Sequence, residues 1–131
     1  MKYVLMVFSL LLLSFNAHAS ADSDALLAQY KAAGAANFDA ERGKEAWTHE
    51  VKSKEGEMRS CTTCHGKELT KPGKHATTEK VIDPMAPSVN KDRYTDQKKI
   101  EKWFKRNCEW AWGRECTPQE KGDLLKFLLS R

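Results

Sequence analysis

Cys61-Thr62-Thr63-Cys64-His65 is the stretch that decides how this chain folds. Two thiols three positions apart, followed at once by an imidazole, form the attachment signature of a c-type haem. The thiols bond covalently to the two vinyl groups of one porphyrin, and the adjacent imidazole meets the iron from the proximal side. The single motif predicts one haem c, attached through Cys61 and Cys64 and ligated by His65. A zinc site usually draws four ligands from two such pairs, and Cys108 and Cys116 lack that spacing. A thioredoxin-like dithiol wants a βαβ setting, and no strand-like alternation flanks this one.

Toward the N-terminus, residues 1–19 read as a secretory signal peptide. Lys2 gives the positive start, Val4 to Phe15 an almost unbroken apolar run, and Ala17-His18-Ala19 a small-x-small cleavage site. The run is too short to span a bilayer, and an uncleaved anchor is the weaker reading. The expected organisation is a signal peptide over 1–19 and one cytochrome domain over 20–131, in the periplasm. Such a compartment suits covalent haem attachment and permits disulfides. The formal charge of +4, one unit of it on Lys2, argues for neither nucleic acid nor an anionic membrane as partner. Lys67, Lys71, Lys74 and Lys80 cluster behind the motif, as a solvated basic loop or as a guide for an acidic redox partner.

The rest reads as helices separated by polar loops, all-α with no sheet. Asp22 or Ser23 caps a first helix carrying Leu26, Leu27 and Tyr30, and Gly34 ends it. A second helix starts near Asp39 and sets Gly43 and Trp47 on one face. Residues 52–59 form a charged loop feeding the motif, and 66–91 show no sustained period. Thr95 caps a helix running to about Cys108. Thr117-Pro118-Gln119-Glu120 is a capping box that opens a last helix with Leu124, Leu125, Phe127 and Leu128 buried. Two outer helices flanking the haem motif look like the class I cytochrome c fold, in which those helices cross at a small residue. Gly43 is the position expected at that close approach.

The sixth iron ligand has several candidates. Met58 lies too close to Cys61 to wrap to the other face. Met85 sits before the Thr95 helix, where packing on the haem is its better role. His49 and His75 read as exposed. Ile100, Trp103, Phe104 and Asn107 share one helical stripe, which directs Trp103 and Phe104 at the haem and a neutral amide with them. Asn107 is then either a ligand or a helix C-cap. Cys108 and Cys116, left over in an oxidising compartment, are expected to pair, which contributes about 2.5 kcal/mol through chain entropy. Trp110 and Trp112 between them are pocket wall or ordinary core. The carbonyls of Pro72 and Pro84 are both candidates to hold the second nitrogen of His65.

Cys61-Thr-Thr-Cys-His65, the Pro84-Met-Ala-Pro-Ser88 loop, and Asn107-Cys108 with a cysteine eight residues on are together particular. In these the chain resembles the SHP (sphaeroides haem protein) family of monohaem class I c-type cytochromes. The resemblance implies His65 and Asn107 as the ferric ligands, a disulfide beside Asn107, and a ferrous form that loses Asn107 and binds O2, NO or CO. It also implies a dihaem c-type cytochrome and a membrane b-type cytochrome as electron donors. Oxygen or NO reduction is a further possibility, but no distal acid–base pair supports turnover. A simple His65/Met85 electron shuttle is the competing reading.

Overall fold

The computed structural model describes residues 20–131; the expected signal peptide lies outside them. Helix α1 (Ala21–Ala32) is capped by Ser20, whose hydroxyl accepts from Ser23 N, so the start falls slightly earlier than Asp22 or Ser23. Its Ser23, Leu26 and Tyr30 are buried. Helix α2 (Ala40–Thr48) begins at Asp39, whose carboxylate accepts from Arg42 N, and buries Gly43 and Trp47. Helix α5 (Pro118–Leu129) opens on the expected capping box, with Thr117 and Glu120 bonded reciprocally and Pro118 in the first turn.

Helices α2 and α5 make the main crossing of the fold. A Cβ on Gly43 would run into the Asp123 carbonyl and stand 2.7 Å from Phe127 Cβ, so only glycine allows this approach. Around it, Arg42 Nε and Nη2 donate to the buried Asp123 carboxylate at 2.9 Å each. Asp39 N and Gln119 Nε2 donate to the same Oδ1, so the buried charge is fully met. Leu124, Leu125 and Leu128 fill the core beneath.

Between these outer helices come the short α3 (Thr62–His65) and α4 (Gln97–Trp112). The cap of α4 is Asp96, which accepts from Lys99 N, rather than Thr95, whose hydroxyl bonds Asp92 O. The helix also runs past Cys108 to Trp112, where Gly113 closes it at φ 70°. Glu101 ties it to its neighbours, accepting from Tyr30 of α1 and from Lys121 of α5.

Two small ladders correct the expectation of no sheet. Strands β1 (Val51–Lys52) and β2 (Met58–Arg59) pair antiparallel, as do β3 (Gly73–Lys74) and β4 (Val81–Ile82). Each strand has two residues, too few to show an alternation in sequence. The architecture is therefore all-α in substance, with the helices gathered around one central site.

Candidate haem site

Helix α3 presents Cys61, Cys64 and His65 to one cavity of about 660 Å³, within the range of cofactor pockets. Gly66, at φ 71°, turns the chain away directly after the imidazole. Gly73 then passes so close behind the motif that a Cβ there would stand 2.9 Å from His65 Cα and strike the Cys64 carbonyl. Trp47 closes the same side: its Nε1 donates to Gly66 O at 3.2 Å, and its ring lies 5.4 Å from the His65 ring. Trp47 also packs on Phe127, so the helix crossing and the imidazole share one wall. Gly73 and Trp47 are the positioning residues that sequence reading missed. Pro72-Gly73 reads only as a turn, and Trp47 only as a core residue.

Burial, with help from Arg93 and His75, pushes the His65 imidazole down to about 4, which keeps it neutral with a free lone pair. Among the described residues its Nδ1 is buried without a partner. Neither proline carbonyl bonds it, and Pro84 O accepts instead from Arg93 Nε at 2.8 Å and Asn90 Nδ2 at 3.2 Å. Burial also pushes the Cys61 thiol up to about 12. A dithiol catalyst needs the opposite shift. Among the described residues no group of three or more His, Cys, Asp or Glu is placed to hold a metal ion.

Helix α4 brings the opposite set. Ile100, Trp103, Phe104 and Asn107 all line the cavity, as their spacing predicts. Ile100 and Phe104 are buried, whereas Trp103 is 43% exposed and stands at the rim. Asn107 lies five residues before the helix ends, so it is not a C-cap. Cys108 and Cys116 form the expected disulfide, with Cα atoms 5.6 Å apart, joining the last turns of α4 to the residue before the Thr117 cap. The two tryptophans divide. Trp110 lines the cavity, while Trp112 faces the other way, edge-on to His49 at 6.3 Å.

The irregular 66–96 segment supplies the remaining wall. Met85 is buried on the cavity, held by Met85 N to Leu69 O at 2.9 Å and by Tyr94 OH to Met85 O at 2.8 Å. Met58, by contrast, is 53% exposed and away from it. His75 is exposed, as read from the sequence, and also lines the cavity, with Nδ1 accepting from Thr77 N and Thr78 N at 3.2 Å.

A family model described as Domain of unknown function (DUF1924) matches residues 33–128. Cytochrome c-type protein SHP of Cereibacter sphaeroides is 45% identical over 106 residues, 81% of each chain. The solved structure of oxidized SHP, described as an oxygen binding cytochrome c, superposes with a TM-score of 0.77 at 43% identity. It covers 86% of this chain and 99% of its own. The chain belongs to the SHP family of c-type cytochromes. Cytochrome c'' of Methylophilus methylotrophus is a second relative of this SHP-family chain, 34% identical over 98% of this chain and 94% of its own. Its solution structure, described as giving insights into the structural basis of haem-ligand detachment, has a TM-score of 0.71 at 31% identity. That match covers 83% of this chain and 93% of the other.

The cofactor of this SHP-family protein is one haem c. The residues present fit it. Two thiols, a buried neutral imidazole with an unpartnered nitrogen, and apolar walls from α4 and the Met85 loop converge on a single cavity.

Proposed function

We propose that this protein is a periplasmic haem protein, exported through residues 1–19, whose sixth iron position is gated by Asn107. In this reading Cys61 and Cys64 form the thioether bonds, His65 holds the proximal side, and Asn107 closes the other side in the ferric state. The haem supplies a one-electron couple and, with the sixth position open, a site for O2, NO or CO. A carboxamide oxygen is a hard, weak donor, suited to Fe(III) and held poorly by softer Fe(II), so Asn107 lets go on reduction. The observation that carries the reading is the place of Asn107, on the inner stripe of α4 and on the same cavity as His65. The oxygen binding of SHP and the haem-ligand detachment of cytochrome c'' support it.

The chain's own residues prepare this gate. Trp47 and Gly73 pack the peptide of His65 so that its ring has little room to turn. Ile100, Phe104 and Leu124 keep the cavity wall apolar and exclude water. The disulfide at Cys108 anchors the residue after Asn107, so release is a side-chain rotation and not an unwinding of α4. Electrons arrive from a dihaem c-type cytochrome and a membrane b-type cytochrome, the donors the family resemblance implies.

Absorption spectra of ferric, ferrous and CO-treated ferrous protein test the proposal. A CO-induced Soret shift within seconds is expected, together with a changed ferric spectrum in Asn107→Ala. A low-spin ferrous spectrum that ignores CO would exclude the gate. One observation favours a second reading, the His65/Met85 shuttle: Met85 is buried on the same cavity. In that case Met85→Leu abolishes a sulfur-to-iron charge-transfer band and Asn107→Ala changes nothing.

A further inference from the structure

Exposed cations that lack an ion-pair partner among the described residues gather on the cavity-mouth side of α4. Lys99 and Arg106 line the opening, and Lys102 lies between them on the same helix. All three are exposed. Lys102 Nζ and the Arg106 guanidinium lie 5.4 Å and 5.6 Å from the Trp103 ring, which holds them around an aromatic centre. Val81, 74% exposed, and its neighbour Lys80 also line the cavity. A half-exposed Trp103 flanked on α4 by Lys99, Lys102 and Arg106 has the composition of a docking patch for a negatively charged protein surface.

The lysines behind the haem motif do not form one patch. Of the four, Lys80 alone lines the opening. Lys74 is paired with Glu79 at 3.2 Å. Lys67 and Lys71 are exposed but lie off the cavity. Asp83, Asp92 and Asp96 also line the opening. They belong to the preceding loop and to the start of α4, with Asp96 two turns from Trp103.

We propose that the exposed side of α4 around Trp103 is the docking surface for an acidic one-electron donor protein. The proposal deepens the gated reading, since it names the face through which the gating electron enters. In the step itself the reduced donor loses one electron and the ferric haem gains it. The entry face belongs to the helix that carries Asn107, so donor contact and ligand release share one element.

Stopped-flow reduction of the ferric holoprotein by photoreduced flavodoxin, a small acidic one-electron donor, tests this. Two variants carry the same charge change at different places: Lys99→Glu/Lys102→Glu on α4 and Lys67→Glu/Lys71→Glu behind the motif. At low ionic strength the first is expected to slow reduction at least about tenfold, and the second less than about twofold. Lys102→Glu alone, at a solvated position that lines nothing, should give a several-fold loss even if the double variant folds poorly. Salt should erase the difference between wild type and the α4 variants. Equal slowing by both double variants, or wild-type rates in Lys102→Glu at low salt, overturns the assignment. Binding of CO by the wild-type ferrous protein reports the Asn107 gate separately. A failed gate with an intact α4 salt effect leaves the docking surface standing.

Discussion

The α2–α5 crossing and the α4 wall of the cavity are both helix faces, yet they close on different things. At the crossing, Gly43 lets backbone meet backbone, and the Asp123 carboxylate is met by four donors from Arg42, Asp39 and Gln119. On the α4 wall, the apolar stripe of Ile100 and Phe104 ends in a carboxamide that faces a cavity. A surface that meets its partner fully has no freedom, and changes there register as stability. A surface that leaves a polar group on a cavity keeps one rotamer free, and changes there register as chemistry.

The largest effect is expected at the crossing. Gly43→Ala puts a methyl against the Asp123 carbonyl and Phe127, and such overpacking should cost about 3 kcal/mol. Denaturant unfolding of the holoprotein measures it. A loss under about 1 kcal/mol would mean that α2 slides away cheaply and that the two surfaces differ less than argued. Next comes the clamp that joins them. Cys108→Ser/Cys116→Ser removes an eight-residue closure and should lower stability by about 2.5 kcal/mol. Because the bond anchors the neighbour of Asn107, the ferric spectrum should change as well. Lost stability with an unaltered spectrum would assign the disulfide to the framework alone.

Legibility followed the same division. Gly43, the Thr117–Glu120 box and the Ile100–Asn107 stripe were readable because each is a local pattern with one physical cause. The end of α4 was not. Cys108 looks like a boundary because a cysteine pair suggests a loop, whereas the helix continues to Trp112 and the disulfide spans its final turn. Asp96 and Thr95 are both good caps, and only the backbone chooses between them. The wall around His65 was invisible for a different reason. Gly73 and Trp47 act on it from 8 and 18 positions away in the chain, and no short-range period records such contacts.

Trp47 touches both regions and so sharpens the comparison at intermediate magnitude. Trp47→Phe keeps the packing on Phe127 but removes the Nε1 bond to Gly66 O, at a cost of about 1 kcal/mol. The same bond sits beside His65, so a shift in the ferrous spectrum should accompany the loss. Stability that falls without any spectral change would show that the crossing does not reach the imidazole.

The smallest effect belongs to the charge at the start of α5. Glu120 reaches back to Thr117 N at 2.8 Å and pairs with Arg114 at 2.7 Å. The Arg114 hydrogen bond is the main cause that holds its carboxyl below the usual 4.5. A folded value lower than the unfolded one adds stability that is complete above the usual value. That contribution disappears as pH falls through the depressed value. Glutamine keeps the capping reach to Thr117 N, so Glu120→Gln isolates the charge. The group is partly solvated, and the variant should lose less than about 1 kcal/mol near neutrality. Chemical denaturation at a series of pH values should show that deficit shrinking to nothing in acid. A deficit that stays constant with pH would mean that ionisation of Glu120 contributes nothing, setting this end of α5 apart from the crossing in its middle, where the buried Asp123 carboxylate is met by Arg42.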